Sequence, residues 1–198
     1  KAFAAEGAKL ILTARRKDRL DKLAASLGVP CLTLKLDVTD RKAVEAAVAG
    51  LPEEWQAIDV LVNNAGVAKG SAKYQDYKLD DVDAMIDANI KGVMYCTRLI
   101  VPGMIARNRG HIFNMGSVAG HYAYQNGTVY CATKAAVKSM TEALKQDLLG
   151  TPVRVTSIDP GLVETEFSVV RFEGDADRAK KVYEGVKPMS GDDIAEMI

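Results

Sequence analysis

Short apolar runs alternate with longer stretches of helical periodicity along the whole chain. The apolar runs are near-continuous, and they occupy residues 9–14, 31–36, 58–63, 111–115 and 153–158. Strands of this composition are typical of a parallel sheet covered by helices on both faces, because neither face then meets water. The alternation therefore predicts an α/β protein with a doubly wound parallel sheet and right-handed crossovers.

The helical patterns lie between these strands. We predict helices over residues 17–27, 40–49, 79–108, 128–149 and 173–185, with the third either kinked or divided in two, and the start of another over 192–198. Residues 1–6 resemble the end of a helix, because Gly7 supplies a left-handed C-cap position and an apolar run follows at once. No repeat or linker interrupts the pattern, so we expect residues 1–198 to form a single domain.

The charge balance and the cysteine pattern exclude several classes of protein. Twenty-six basic residues balance 26 acidic ones, so no net charge attracts nucleic acid or an anionic membrane surface. No apolar run reaches the roughly 20 residues of a membrane span. Cys31, Cys96 and Cys131 are odd in number and far apart, which favours free thiols in a reducing compartment and excludes structural zinc. We expect a cytoplasmic protein without a metal ion.

The most informative segment contains Ser117, Tyr130 and Lys134. Tyr130 and Lys134 are four residues apart in a predicted helix, so both side chains lie on one face about one turn apart. A fixed ammonium can lower a phenol pKa of about 10 by roughly 1–3 units, which would make Tyr130 an acid/base near neutrality. Ser117 follows a strand, where α/β sheets bind ligands, and could donate a hydrogen bond to a carbonyl oxygen. Taken alone, the pair is more often a half-buried aromatic beside a surface lysine.

Three further motifs lie at strand ends or inside a helix. Asn-Asn-Ala-Gly at residues 63–66 ends one strand and could fix a loop beside a ligand, or it could be a plain Asx-rich turn. Asn89 and Gly92 are poor helix formers, which indicates either a local break with Asn89 facing inward or a solvent-facing Asn89 and a packing glycine. The Pro-Gly-x-x-x-Thr sequence at residues 160–165 could hydrogen-bond a planar carboxamide, although Pro-Gly is more often only a turn.

Together and in this order, these motifs resemble the short-chain dehydrogenase/reductase family, from the first strand to the end of the chain. The resemblance implies a nicotinamide-dependent oxidoreductase in which Tyr130 donates or accepts the proton and Ser117 positions the substrate oxygen. Lys134 would lower the pKa of Tyr130 and hold the nicotinamide ribose, and Asn89 would anchor a water in the proton relay. The residues implied in cofactor binding by this resemblance are Asn63, Ala65, Gly66, Tyr130, Lys134, Pro160, Gly161, Val163 and Thr165.

The end of the first strand bears on the choice of cofactor, because Arg15 and Arg16 follow it without an acidic residue beside them. In a Rossmann-like unit an acidic residue here holds the ribose 2′-hydroxyl of NAD, whereas arginine accommodates the 2′-phosphate of NADP. Two guanidiniums suit a phosphate better than a diol, so we predict NADP, with an exposed basic loop as the alternative. By analogy with related proteins Asp37 and Val38 would cap the adenine, unless Asp37 or Thr39 only caps the following helix.

The chain departs from the family pattern at its start. The glycine-rich turn that binds the pyrophosphate, and the strand before it, would lie before residue 1. In the usual strand order that strand separates the strand at 9–14 from the strand at 58–63, so we expect a split sheet with two apolar edges. We interpret the sequence as part of a longer protein, without this element and without the C-terminal strand and its helix.

The substrate is suggested by the segment at residues 161–175. This segment is similar to that of the subgroup that oxidises short 3-hydroxy acids such as serine, allo-threonine and 3-hydroxypropionate with NADP, and it should fold over the site as a lid. Arg171 is the candidate partner of a substrate carboxylate, unless it is solvated or pairs with Glu173 or Asp175. The alternatives are a general carbonyl or acyl reductase and, from another class, a non-catalytic NADP-binding regulator.

Two expectations about contacts are less specific. The loop between Ser117 and Tyr130 must border the substrate, so one or two of its residues are expected to touch it, the candidates being His121, Tyr122, Tyr124 and Asn126. Relatives commonly pair through two long helices, here residues 89–108 and 128–149, which implies a homodimer or homotetramer.

Overall fold

The structure is a computed structural model that describes residues 1–198. Its strands are β1 (Leu10–Ala14), β2 (Cys31–Lys35), β3 (Val60–Asn63), β4 (His111–Met115), β5 (Arg154–Ile158), β6 (Val163–Glu164) and β7 (Met189–Ser190). Its α-helices are α1 (Ala2–Ala5), α2 (Lys17–Leu27), α3 (Arg41–Ala49), α4 (Leu79–Ile86), α5 (Gly92–Ala106), α6 (Thr128–Asp147), α7 (Glu166–Arg171), α8 (Ala176–Lys181) and α9 (Gly191–Glu196). None of these helices has both the length and the apolar composition that crossing a membrane requires.

The five longer strands are parallel and form two separate sheets. β1 pairs with β2 in a register that sets Leu10 opposite Cys31, and β4 lies between β3 and β5 in a three-stranded sheet. The expected split is confirmed, because no backbone hydrogen bond joins β1 to β3. β6 and β7, two residues each, form a third small parallel pair that the sequence did not predict.

The core explains why the predicted strands are almost uniformly apolar. β4 is the central strand of the three-stranded sheet, and Ile112, Phe113 and Asn114 along it are all buried. The main cluster of buried side chains comes from α5, β4, β5 and the turn after α6, and consists of Ile100, Met104, Ile112, Leu148, Val153 and Val155. A Cβ at Gly110 would lie only 2.6 Å from the Met104 side chain, so the helix approaches this closely only over a glycine.

The helical pattern over residues 79–108 contains a break at the position that Asn89 and Gly92 indicated. α4 and α5 are joined by a single π-helical turn, Asp87–Lys91, and not by a loop. Such turns are rare and occur frequently at functional sites. Gly92 is indeed a packing glycine, since a Cβ there would lie 2.7 Å from the Val38 side chain, but Asn89 faces inward and is buried.

The helix predicted over residues 173–185 is present only in part. Within that range the chain forms the short helix α8, which follows α7 after a turn in which Glu173 and Gly174 both have positive φ. Thr165 caps α7 and Asp175 caps α8 by accepting hydrogen bonds from backbone N–H groups. Because Glu173 is not a glycine, the sequence gives no clear sign of the left-handed backbone conformation there, and the helical periodicity was misleading.

Candidate active site

Ser117, Tyr130 and Lys134 lie beyond the carboxyl ends of β3, β4 and β5, where parallel α/β sheets bind ligands. Ser117 begins a single 3-10 turn directly after β4, and its Oγ accepts a hydrogen bond of 3.1 Å from the Ala119 N–H. Tyr130 and Lys134 lie one turn apart on α6, as the spacing predicted. Burial raises the pKa of the Tyr130 phenol, and Ser117 opposes this shift in part.

Lys134 is a buried cation. Its Nζ donates a hydrogen bond of 2.7 Å to the Met115 carbonyl oxygen and lies 5.8 Å from the centroid of the Tyr130 ring. Burial lowers the pKa of Lys134 from 10.5 to about 8, and the nearby carboxylate of Asp159 opposes this shift only in part. The ammonium is therefore close to titrating at neutral pH, a property that follows from the tertiary fold and not from the motif.

The pKa of Tyr130 does not follow the simple expectation from its spacing to Lys134. Burial of the phenol raises its pKa, and this effect exceeds the lowering by Ser117 and by the positive charge of Arg171. The predicted net lowering by Lys134 is thus not found in the isolated chain. The physical reason is that the Tyr130 phenol is itself buried, so its charged form loses hydration.

Asn89 occupies the π-helical turn and uses both ends of its side-chain amide. Its Oδ1 accepts from the Val67 N–H at 2.7 Å, and its Nδ2 donates to the Val67 carbonyl at 2.8 Å and to Thr133 Oγ1 at 3.0 Å. A Cβ at Gly66 would lie 3.1 Å from this Oδ1 and 3.8 Å from Lys134 Nζ. The side chain of Asn89 therefore joins the loop after β3 to α6.

A line of buried amides and hydroxyls continues beneath the site. Asn63 Nδ2 donates to Thr97 Oγ1 at 3.0 Å and to Asn114 Oδ1 at 2.8 Å, and Asn114 Nδ2 donates to Thr141 Oγ1 at 2.9 Å. Asn63 is buried and its amide nitrogen is engaged in this network, so the predicted contact with a cofactor is left to its other polar atoms. The exposed Ala65 and the half-buried Gly66 form the accessible part of the same motif.

Thr97, Asn114 and Thr141 were not predicted as part of the site. One signal for them is present in the sequence, because Asn114 is an amide in the middle of the apolar run of β4. A buried amide needs hydrogen-bond partners, so the position of Asn114 alone indicates a polar network beneath the site.

Of the two arginines predicted to bind the 2′-phosphate, Arg16 forms an ion pair within the chain and Arg15 does not. Arg16 Nη2 lies 3.1 Å from Glu166 Oε2, and Arg19 Nη1 lies 2.9 and 3.0 Å from the two oxygens of the same carboxylate. Arg15 is exposed and forms no hydrogen bond or ion pair. The two guanidiniums that converge are thus Arg16 and Arg19, and Arg19 was missed.

The turn after β2 contradicts the helix-capping alternative that was considered for Asp37 and Thr39. Asp37 Oδ1 accepts hydrogen bonds from the N–H and the hydroxyl of Thr39, while Asp40 is the residue that caps α3. Neither Asp37 nor Thr39 is the helix cap. Val38 packs against Gly92, so this turn is fixed to the start of α5.

The segment after β5 is held to the loop that carries Ser117. Asp159 accepts a hydrogen bond of 2.7 Å from Ser157 and pairs with His121 Nε2 at 3.0 Å. The carbonyl of Pro160 accepts from the Val118 N–H at 3.1 Å and lies 3.4 Å from Ser117 Oγ. These contacts fix the Pro-Gly turn beside Ser117.

Two of the groups expected to bind a carboxamide have partners within the chain. The Val163 carbonyl accepts from the Tyr183 hydroxyl at 3.0 Å, and the Thr165 oxygen accepts from the Phe167 N–H at 3.2 Å. Gly161 is exposed. The hydroxyl proton of Thr165 is not used by the capping bond, because that bond involves only its oxygen.

Helix α7 brings the predicted lid against the site. The ring of Phe167 lies 5.9 Å from that of Tyr130, a contact that no sequence motif indicated. Arg171 and Gly70 are joined twice: Arg171 Nε donates to the Gly70 carbonyl at 2.9 Å, and the Gly70 N–H donates to the Arg171 carbonyl at 3.0 Å. The lid therefore closes on the loop that follows β3.

The guanidinium of Arg171 has no carboxylate partner. Glu173 pairs with Lys78 at 3.6 Å, and Asp175 caps α8, so both of the suggested partners are engaged elsewhere. Arg171 is half-buried and lies 5.8 Å from the centroid of the Tyr124 ring. Its charge reaches Tyr130, whose pKa it lowers. An unpaired cation thus lies within electrostatic reach of Tyr130.

Known proteins resemble nearly the whole of this chain in sequence. The model of the family described as short chain dehydrogenase matches residues 1–176. The NADP-dependent 3-hydroxy acid dehydrogenase of Salmonella typhi is 50% identical over 197 residues, which cover 99% of this chain and 79% of that protein. The NADP-dependent 3-hydroxy acid dehydrogenase of Schizosaccharomyces pombe is 46% identical over 194 residues, or 96% of this chain and 75% of that protein.

Solved structures of serine dehydrogenases also resemble this chain, in both fold and sequence. The chain is similar to the closed form of a serine dehydrogenase complexed with NADP⁺, with a TM-score of 0.96 and 47% identity over 98% of this chain and 79% of that one. It is also similar to serine dehydrogenase from Escherichia coli, with a TM-score of 0.79 and 43% identity over 95% of this chain and 87% of that one.

Proposed function

The chain belongs to the short-chain dehydrogenase family, and we propose that it uses NADP to interconvert the hydroxyl of a short 3-hydroxy acid, such as serine or allo-threonine, with a carbonyl. The observation that carries the choice of substrate is the half-buried guanidinium of Arg171, which acts electrostatically on Tyr130 and lacks a carboxylate partner. The relatives named above, which act with NADP on 3-hydroxy acids or serine, support the same choice.

Tyr130 is the proposed acid/base. When bound, NADP supplies the acceptor or donor of a hydride, so in the oxidation the carbon loses a hydride and the substrate oxygen loses a proton. Tyr130 Oη takes that proton as the carbonyl forms and returns it in the reverse reaction. Because burial raises the pKa of Tyr130, its ionisation depends on the groups that favour the phenolate, which include Ser117 and Arg171.

Ser117 and Lys134 position the groups that take part in this reaction. Ser117 acts to lower the pKa of the Tyr130 phenol, and its Oγ can donate to the substrate oxygen because its contact with the Pro160 carbonyl is long, at 3.4 Å. Lys134 Nζ donates one of its three protons to the Met115 carbonyl, so two remain to hydrogen-bond the nicotinamide ribose and the Tyr130 phenolate. Asn89 supports both through its contact with Thr133, and we propose that it is a positioning residue.

Arg171 provides the recognition of the substrate acid. Its Nε is bound to the Gly70 carbonyl, which fixes the plane of the guanidinium and leaves the two terminal nitrogens for a carboxylate. A substrate carboxylate bound by both terminal nitrogens of Arg171 would place the substrate 3-hydroxyl next to the Tyr130 phenol. A neutral alcohol would leave this half-buried cation unpaired.

The cofactor phosphate has a fitting site at the end of β1. The Glu166 carboxylate shows that Arg16 and Arg19 can both hydrogen-bond one anion at 2.9–3.1 Å, the geometry that a 2′-phosphate needs. Arg15 is exposed beside them and available to the same phosphate. The remaining contacts are proposed for Asp37, Val38, Asn63, Ala65, Gly66, Pro160, Gly161, Val163 and Thr165.

The assembly and compartment are part of the same proposal. Apolar side chains are exposed on α5 and just after α6, among them Met94, Ile105 and Leu149, which supports a homodimer or homotetramer built on these helices. All three cysteines are free thiols, which supports a cytoplasmic location.

A substrate panel tests the proposal. The purified enzyme would be assayed with NADP⁺ on L-serine, L-allo-threonine, 3-hydroxyisobutyrate and a set of apolar secondary alcohols, with NADPH formation followed by absorbance. We expect kcat/KM to be at least tenfold higher for the acids. Activity confined to the apolar alcohols would refute the assignment of the substrate, and activity with NAD⁺ equal to that with NADP⁺ would refute the assignment of the phosphate site.

A further inference from the structure

One carboxylate joins the lid to the arginines at the end of β1. Glu166 is the first residue of α7, and it contacts Arg16 and Arg19, which lie 150 and 147 residues earlier in the chain. All three oxygen-to-nitrogen approaches within this group fall at charge-assisted hydrogen-bond distances, from 2.9 to 3.1 Å. Hydrogen bonds from Arg19 and Arg16, and then their positive charges, lower the pKa of Glu166, so the carboxylate is ionised at neutral pH.

The two arginines converge because of their position on α2. Arg16 is the residue before the first turn and Arg19 lies three residues later, a spacing that puts both side chains on one face of the helix. The point at which they meet is occupied by an anionic oxygen of Glu166. A site that binds one anion from two guanidiniums selects its occupant by charge and by the number of acceptor oxygens.

We infer that Glu166 is an internal competitor for the cofactor 2′-phosphate, and that Arg19 is a phosphate-binding residue together with Arg16. The inference rests on the proposed function, which places the 2′-phosphate at the end of β1. A carboxylate and a phosphate cannot occupy the same point between the two guanidiniums, so binding of NADP must displace Glu166. NAD, which has no 2′-phosphate, leaves the contact intact.

The exposure of the three side chains makes this exchange feasible. Arg16, Arg19 and Glu166 have relative side-chain exposures of 58, 54 and 62%, and exposed ion pairs of this kind are weak. A phosphate carries more charge and more acceptor oxygens than a carboxylate, so it displaces Glu166 at a modest loss of affinity. Glu166 therefore lowers affinity for NADP without changing affinity for NAD.

Binding measurements on matched variants test this inference. Isothermal titration calorimetry would give Kd for NADP⁺, NAD⁺ and adenosine 2′,5′-bisphosphate, a fragment that carries the 2′-phosphate without the nicotinamide. We expect Glu166→Gln to tighten NADP⁺ and the bisphosphate about 3- to 10-fold and to change NAD⁺ less than about twofold. The control is Glu164→Gln, which removes the same charge from an exposed residue without an ion pair and should change each Kd less than about twofold.

Arg19→Met tests the second half of the inference. We expect it to weaken NADP⁺ and the bisphosphate about 3- to 10-fold, with NAD⁺ unchanged, and to reduce the gain from Glu166→Gln when the two changes are combined. The inference would be overturned if Glu166→Gln bound NADP⁺ no more tightly than the wild type while Arg16→Ala still lost the preference for NADP⁺. If Arg16→Ala left that preference unchanged, the proposed phosphate site itself would be wrong.

Discussion

The buried polar frame and the lid segment of this protein are built in opposite ways. We define the buried polar frame as Asn63, Asn89, Thr97, Asn114, Thr133 and Thr141, and the lid segment as residues 161–175. Every member of the frame is at most 7% exposed and hydrogen-bonded to another element. The ion pair that joins the lid segment to α2, in contrast, lies between side chains that are more than half exposed.

This difference in solvent exposure indicates that the two regions have different roles. A buried amide that loses its partner carries the full cost of desolvation, so the frame holds Lys134 and Tyr130 in one geometry. Exposed contacts are weak and can exchange with a ligand, which suits the residues that recognise the phosphate. Changes in the frame should therefore cost stability and rate, whereas changes in the lid segment and its partners should alter selectivity.

The largest effect is expected for Tyr130→Phe. The change removes one oxygen, the proposed site of proton transfer, so kcat should fall by about 10²–10⁴-fold or more. The Kd for NADP⁺ should change less than about twofold, because this oxygen acts on the proton and not on the phosphate. Steady-state kinetics and calorimetry would check both values, and a variant that retains most of its kcat would remove Tyr130 from the chemistry.

Asn114→Ala should break the frame without touching the reacting atoms. It leaves the amide of Asn63 and the hydroxyl of Thr141 without their shared partner, so the free energy of unfolding should fall by about 2–4 kcal/mol. Glu166→Gln is the matched change in the lid segment and should leave the free energy of unfolding nearly unchanged, because its ion pairs are exposed to solvent. Urea unfolding of both variants gives the comparison, and similar losses for the two would show that the regions do not differ as described.

Lys134→Met tests how far the buried ammonium lowers the free energy of unfolding. The folded-state pKa of about 8 lies below the unfolded value of 10.5, so the charged form disfavours folding at and below pH 8. Between pH 8 and 10.5 the folded state releases its proton first, and the wild type should gain up to about 3 kcal/mol of stability that the methionine variant lacks.

Urea unfolding of the wild type and of Lys134→Met between pH 7 and pH 10.5 measures this difference. The variant should also lose turnover and bind NADP⁺ more weakly. A stability difference that is independent of pH would mean that the ammonium is not desolvated as the fold indicates.

A smaller effect is expected at the end of β1. Replacing Arg15 and Arg16 with alanine should raise KM for NADP⁺ by about 10- to 100-fold and leave KM for NAD⁺ nearly unchanged, because each charge-assisted bond to phosphate contributes about 1.5–3 kcal/mol. Arg16→Ala alone should account for most of this, since Arg16 converges with Arg19 and Arg15 does not. Equal losses with both cofactors would contradict the assignment.

The regular elements could be predicted where local sequence decides the structure. The run at 111–115 matches β4 and the pattern at 17–27 matches α2, and Gly7 has the positive φ expected of it. The spacing of Tyr130 and Lys134 predicted their common face of α6 for the same reason. The split between the strands that end at Ala14 and Asn63 followed from the family pattern and is confirmed.

The rest depends on contacts that no local pattern reports. A residue at the end of a strand can face either a cleft or the core, so the inward orientation of Asn63 was not predictable. The partner of Arg16 and Arg19 lies about 150 residues away, and the pKa values of Tyr130 and Lys134 depend on burial that the fold creates. Tertiary burial and distant ion pairs therefore account for the main differences between expectation and structure.

The most direct test of the division between the two regions is the selectivity of Arg171→Met, which keeps the aliphatic stem and removes the charge. The measurement is kcat/KM with NADP⁺ on L-serine and on a neutral secondary alcohol of similar size, together with the urea midpoint of each protein. We expect activity on the acid to fall about 10- to 100-fold and activity on the neutral alcohol to fall much less, because the alcohol loses only the effect of the Arg171 charge on Tyr130, while the midpoint changes little. Equal losses on both substrates would contradict the account, because Arg171 would then support the catalytic frame instead of selecting the acid.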